Sequence, residues 1–198
     1  MPLLCLPFIL ILLSVFSLFR NRSSRSFEEK QEAFWEKERR ANLSRKKDIS
    51  GLKYIQIPLE AFPIGKFDDA DLSDYERSLK ALSGQKILNL NGISNTDLKL
   101  EYGAANLPIL SEYDANFTTL ARLLSNYGSR LAELGYKQEA VTVLEFGIAC
   151  RTDISKNYIL LHQLYEESGE AAKADELADT VRASDLLLKD SILERISS

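Results

Sequence analysis

Three carboxylates within four positions, Asp68, Asp69 and Asp71, form the densest acidic group in the chain. Packed that closely, they could hold a divalent cation or share a proton for acid–base work. Their place argues otherwise: they stand in a loop just ahead of an expected helix, where the helix dipole stabilises acidic side chains. Asn89, Asn91, Asn95 and Asp97 offer oxygens at spacings near those of a calcium loop, but the EF-hand order of ligands and its terminal Glu are missing. His162 is the single histidine, and Cys5 and Cys150 are the two cysteines, too few for a zinc site. No Ser, Cys or carboxylate is expected beside His162 to complete a nucleophile–base pair. No P-loop, dinucleotide-binding glycine pattern or nucleophile elbow occurs. These residues lead to no catalytic, cofactor-binding or metal assignment, and the expectation is a protein that is not an enzyme.

The stretch "PLLCLPFILILLSVFSLF", Pro2 to Phe19, carries no charge. As a helix it would span ~27 Å at 1.5 Å per residue, close to a hydrocarbon core of ~30 Å. Arg20, Arg22 and Arg25 follow at once. They suit anionic lipid headgroups, and by the positive-inside rule they keep the C-terminal side cytoplasmic. The expectation is a single-pass transmembrane anchor over 1–19 at the cell membrane, with a cytoplasmic C-terminal domain. The alternative is a cleaved signal peptide, with Val15-Phe16-Ser17 as the small-residue site, which would give a secreted binding domain. The lack of basic residues ahead of the segment and the arginines just beyond it speak against cleavage.

Residues 20 to 48 carry ten Lys/Arg against six Asp/Glu, leaving fifteen basic against twenty-three acidic residues from 49 to 198. An acidic folded part argues against nucleic acid as a partner, because phosphate binding needs a basic face. Cys5 in the apolar segment and Cys150 in the domain are not expected to pair, so no disulfide framework exists.

The charged juxtamembrane stretch, 20–47, lacks Gly and Pro, and Glu36 precedes Arg39 and Arg40 by three and four residues, as on a solvated helix. Phe27, Phe34 and Trp35 fall near one face. They read either as an interfacial or partner-binding strip or as the aromatic end of a stalk packed on the domain. Between 48 and 108, Gly51, Pro58, Pro63 and Gly65 interrupt a run containing Tyr54, Ile55, Ile57, Leu59, Phe62 and Ile64, too apolar for a free linker. An extended segment covering a hydrophobic groove is expected there, followed by short capping helices. Ser73-x-x-Glu76 reads as the box that opens one, ending near Gly84, and Ser94-x-x-Asp97 opens the next. Tyr113, Phe117, Leu120, Leu124, Tyr127, Leu131 and Leu134 alternate at four and three residues, which predicts a long helix from about Ile109 to Leu134.

"LAELGYKQEAVTVLEFG" (131–147) overlays "YEESGEAAKADELADTV" (165–181) at 34 residues, with Gly135 on Gly169, Ala140 on Ala174, Val143 on Leu177 and Gly147 on Val181. The segments 121–154 and 155–188 resemble tetratricopeptide repeats, helix-turn-helix units of this length that stack into solenoids. Leu124, Tyr127, Gly128, Leu131, Ala140, Leu144 and Gly147 occupy the signature places of the first. Tyr158, Leu161, His162, Tyr165, Ala174, Ala178 and Val181 occupy those of the second. His162 stands where Gly or Ala is usual, and Thr152 and Leu186 replace the closing Pro.

The resemblance implies a mainly α, α-α hairpin (TPR-like) solenoid over 109–198, closed by a terminal helix from about Ser184 to Ile196 with Leu187, Ile192, Leu193 and Ile196 on its apolar side. It also implies a partner-binding surface on the first helices of the units, at Arg122, Ser125, Ser129, Ala132, Glu133, Lys156, Ile159, Gln163, Glu166 and Glu167. Ser125 and Ser129 stand at two places of the Lys/Asn pattern that grips a peptide carboxylate in some relatives, so that clamp is not implied. The whole chain is also similar to a group of bacterial membrane-anchored proteins sharing the "FWEKERRAN" stalk and the "NGISNTDLKLEYG" turn, which implies the architecture and no activity. The expected function is a membrane-tethered adaptor or scaffold for a protein partner, with a self-associating envelope component as the alternative.

Overall fold

The computed structural model describes residues 27–197, and among them the chain is mainly α-helical, without a strand. The proposed anchor, residues 2–19, and Arg20, Arg22 and Arg25 lie outside the described residues. Among the described residues no helix is long and apolar enough to cross a membrane. The helices group into two compact units. Among the described residues one joins 27–50 with Gly92–Leu107, and the other joins Gly51–Asn91 with 108–197. The division thus differs from the linear order of stalk, capping region and repeats that the sequence suggests.

In the first unit, helix α1 (27–42) pairs with α3 (Asn95–Tyr102). Ser94 caps α3 by accepting the Asp97 N–H at 3.2 Å, as the sequence predicts. The two helices meet through charges that are paired rather than solvated. The Glu38 carboxylate takes the Lys99 ammonium and the Thr96 hydroxyl, the latter at 2.6 Å, and Lys37 pairs with Asp97 at 2.6 Å. Ala41, fully buried, marks the close approach. Beyond α1, the Ser44 hydroxyl accepts the Ala104 N–H at 3.1 Å, and the Asn106 amide donates to the carbonyls of Lys47 (2.8 Å) and Tyr102 (2.7 Å). Gly103 makes this contact possible. Its φ of +94° disfavours a side chain, and a Cβ there would lie 2.2 Å from the Arg45 carbonyl oxygen, a backbone atom with no freedom to yield.

In the second unit, α2 (Ala70–Ser83) starts earlier than its sequence suggests: Asp69, not Ser73, is the cap, accepting the Leu72 N–H at 3.0 Å. The reason is tertiary, since Arg130 of α4 (Leu107–Glu133) pairs with the same carboxylate at 2.7 Å and fixes it at the helix start. The alternating stripe of α4 is buried from Leu110 to Leu131, while Leu134 falls outside the helix and is exposed. The segment 51–67 packs its apolar residues on the core, as expected, but it is not extended throughout: from Pro58 to Lys66 it winds through successive turns, with Ala61 donating to Pro58, Phe62 to Leu59 and Lys66 to Pro63. Ile55 donates to the Ile87 carbonyl, Phe62 wedges between Tyr127 and Phe146, and Phe67 stacks on Tyr136 at 3.6 Å.

Helices α5 (Lys137–Ala149), α6 (Ser155–Glu167) and α7 (Ala171–Ala183) complete two hairpins whose turns match atom for atom. Gly135 donates to Ala132 and Tyr136 to Leu131 in one. Gly169 donates to Glu166 and Glu170 to Tyr165 in the other, all at 2.8–3.0 Å. This pair of bonds is the Schellman closure, and it requires the left-handed glycine present in both turns, with φ of +86° and +76°. A Cβ on Gly128 would lie 2.8 Å from the Leu144 side chain, so α4 and α5 touch nearly backbone to side chain. At the matching places of the second hairpin stand His162 and Ala178, both buried, so the bulk has moved from the second helix to the first.

The terminal helix α8 (Lys189–Ile196) is shorter than expected. Leu187 precedes it and is 96% exposed rather than part of its apolar side, while Ile192 is buried and α8 packs on α6 and α7. Ser184, in extended conformation with ψ 164°, ends α7 and prevents a helix from continuing through Leu188.

Gly103→Ala is expected to destabilise the α1–α3 unit by about 3 kcal/mol or more, since strain and a backbone clash coincide. Gly92→Ala, at a similar φ but in open space, is expected to lose only about 1 kcal/mol. Hydrogen exchange of the α3 amides, compared between the two variants, measures the difference.

Candidate functional site

The four positions 159, 162, 163 and 166 follow the i, i+3, i+4, i+7 rule and so share one face of α6. That face meets the last turn of α8, and Ile159, His162, Gln163 and Glu166 together with Arg195, Ile196 and Ser197 line a groove of about 390 Å³. Its floor is mixed. Ile159 and Ile196 are half-buried and packed on the core, His162 is buried, and Gln163, Glu166 and Arg195 reach solvent. The His162 Nδ1 lies 3.6 Å from Glu166 Oε2. Gln163 is turned along its own helix, donating to Glu167 Oε1 at 2.8 Å. Glu167 also pairs with Lys137 at 2.8 Å, tying the end of α6 to the start of α5, and this ammonium and the Gln163 amide hold its carboxyl below the usual carboxylate range.

Of the residues expected on the binding surface, Ile159, Gln163 and Glu166 are brought together in the groove. Arg122, Glu133, Lys156 and Glu167 are exposed outside it, and Ala132 is half-buried against the core. Glu133 lies 3.5 Å from Arg130. Ser125 and Ser129 are only 7% and 5% exposed and line no open surface, which corrects the expectation. The cause is the position of α4. Its buried residues extend beyond one stripe to include Ala121, Ser125, Gly128 and Ser129, so small side chains here serve close packing. The groove residues that sequence reasoning missed are His162, Arg195, Ile196 and Ser197. The signal for His162 was present, as a large polar residue at a place where the repeat pattern asks for Gly or Ala.

The acidic and amide residues that could have formed a cation or acid–base site have structural partners instead. Asp69 caps α2 and binds Arg130, which also approaches Asp71 at 3.6 Å. Asn89 donates to the carbonyls of Cys150 and Arg151 at the end of α5. Asp97 is held by Lys37 and Ser94. Among the described residues no three metal-ligating side chains converge. The half-buried Cys150 thiol is pushed up to about 11 by burial, which leaves little thiolate to act as a nucleophile near neutral pH. Thr152 and Asn157 are fully buried beside Gly147, and among the described residues the Thr152 hydroxyl and the Asn157 side-chain amide have no hydrogen-bond partner and no base beside them. Comparison with protein-family models, curated proteins and solved structures finds no match for this chain.

The Arg130 guanidinium, first through its hydrogen bond, and the Leu72 N–H hold the Asp69 carboxyl below its ordinary value. A depressed folded-state value means that the stabilisation is complete above the unfolded-state value of about 3.9 and is lost as pH falls through the folded one. Acid unfolding of Asp69→Asn, followed by circular dichroism at 222 nm, is therefore expected to show a shallower fall in stability below about pH 4 than the parent.

Proposed function

We propose that this chain is a membrane-tethered, non-enzymatic protein-interaction module. In this reading residues 2–19 anchor it in the cell membrane, Arg20, Arg22 and Arg25 lie at anionic headgroups, and the repeat-bearing unit is cytoplasmic. Its two hairpins are tetratricopeptide-like and recruit a protein partner. The observation that carries the reading is the α6–α8 groove, an open, mixed apolar and polar surface on the face where such repeats bind ligands, with Ile159, Gln163 and Glu166 converging on Arg195. A protein segment with a small apolar side chain and a hydrogen-bonding backbone fits that lining, because Ile159 and Ile196 offer apolar area and the polar groups around them fix orientation. Support for the repeat comes from the identical Schellman closures at Gly135 and Gly169, 34 residues apart.

Two measurements test the reading. A C-terminal tag on the full chain is expected to resist protease in intact spheroplasts and to be digested after permeabilisation; digestion in intact cells would place the unit on the other side. A photo-crosslinking residue at Gln163 is expected to give a discrete protein adduct in cells that is lost with Ile159→Asp, while the same probe at exposed Thr180 of α7 gives none. Equal labelling from both positions, or no adduct from Gln163, would remove the groove as the binding surface.

A further inference from the structure

The face of α1 that packs on α3 does not end where α3 ends. At ~100° per residue, Phe27, Phe34 and Trp35 fall within about 100° of arc, on the same side as Glu38, Ala41 and Asn42. From Lys37 onward that side is occupied: Lys37, Glu38 and Asn42 all bond α3 side chains, and Ala41 is buried. Before Lys37 the described residues leave it open: Phe27 is 68%, Phe34 53% and Trp35 52% exposed, and among the described residues their one ring contact is the edge-to-face pair of Phe34 and Trp35, with centroids 5.3 Å apart. Three large aromatic residues left in water on one helix face, continuous with a packed face, call for a second occupant.

We infer that this N-terminal face of α1 lies in the headgroup region of a lipid bilayer, with Phe27 deepest and Trp35 shallowest. The inference rests on the reading of residues 2–19 as a membrane anchor. Only seven residues separate Phe19 from Phe27, so even a fully extended chain keeps Phe27 within ~30 Å of the anchor's end. Charge sets the tilt about the helix axis rather than the attraction. Glu29 and Glu36 fall opposite Phe27 and Phe34 and Lys30 lies at the rim beside them, whereas Trp35 borders Glu28 and lines a surface with Glu32 and Glu36, so the Phe27–Phe34 side turns toward the lipid and Trp35 stays at its polar edge. Tryptophan and phenylalanine favour that boundary, where an apolar ring body meets polar groups.

A second copy of the chain fits the same face poorly. Helix pairing by heptads needs at least ~3 to 4 heptads. Here α3 takes the seam from Lys37 on, and Gln31 stands in the middle of what remains. Because α3 sits on the same side, α1 cannot lie flat on the bilayer and must rise away from it, which sets the depth order of the three aromatic residues.

Trp35 is the single tryptophan of the chain, so intrinsic fluorescence of the full-length protein reads this face alone. The protein is reconstituted in vesicles of phosphatidylcholine and phosphatidylglycerol, with and without bromine on the acyl chains next to the headgroups. The expected result is a blue-shifted emission that loses intensity with brominated lipid and is shielded from acrylamide. The double variant Phe27→Trp with Trp35→Phe is expected to lose more. Emission shielded from acrylamide yet indifferent to bromine would overturn the inference in favour of a protein occupant, and emission quenched by acrylamide would overturn it outright. Alkaline extraction of the same vesicles scores the anchor by itself: a protein that washes off refutes the anchor, whereas one that stays while Trp35 ignores bromine refutes only the inference drawn here.

Discussion

Glu76 is the one buried carboxylate among the described residues, and three elements of the second unit meet at it. Its side chain leaves α2, takes the Gly65 N–H at 2.8 Å from a turn of the 51–67 segment, and takes the Tyr127 hydroxyl at 3.2 Å from the centre of α4. A buried carboxylate without donors would be unfavourable by several kcal/mol, so its burial obliges all three partners to be present together. Tyr127, fully buried, registers the reverse effect: burial first and the adjacent Glu76 second push its hydroxyl well above the ordinary value, so it stays a donor. A helix hydrophobic on more than one side needs neighbours on more than one side. This polar tie fixes where two of those neighbours, α2 and the 51–67 segment, must lie along α4.

The hairpins then follow from two local rules that the sequence states twice. A glycine in the left-handed region closes the first helix of each pair, and small residues let the pair approach. Open space surrounds the Cβ positions of Gly135 and Gly169, so these glycines are required by backbone conformation, whereas Gly128 is required by contact with Leu144. Replacing Gly128 by its counterpart His162 is tolerable in the second hairpin because Ala178 replaces Leu144. Volume is conserved across the helix pair rather than at each position.

Features written locally were legible. The four-three stripe of α4, the Ser94 cap of α3 and the two glycine turns depend on residues a few places apart, and the helices occur where the spacing puts them. Features decided by distant partners were not. Asp69 and Ser73 are equally good caps on paper, and Arg130 decides between them. The association of 92–107 with α1 depends on the Gly103 backbone meeting that of Arg45, a contact with no periodic signature. Ser125 and Ser129 look like surface residues by type, and only the breadth of burial around α4 reveals that they are not. The aromatic residues of α1 were legible as a face, but each is more than half exposed, so the described part of the unit does not cover that face.

The candidate groove owes its existence to the way the two hairpins are closed at their ends, because each hairpin has an apolar face that only a neighbouring element can bury. At one end the 51–67 segment supplies that cover through Ile55, Ile57, Leu59, Phe62 and Ile64. At the other α8 supplies it, burying Ile192 and packing on α6 and α7. A helix of eight residues cannot cover the full length of the thirteen-residue α6. Its last turn stops beside His162 and Glu166 and leaves the opening lined by Ile159, Gln163 and Arg195. The cap that completes the core therefore also shapes a concave surface that joins two helices and carries residues of the expected binding face. A change in the length of α8 would alter both stability and the groove, so the two cannot have been set independently.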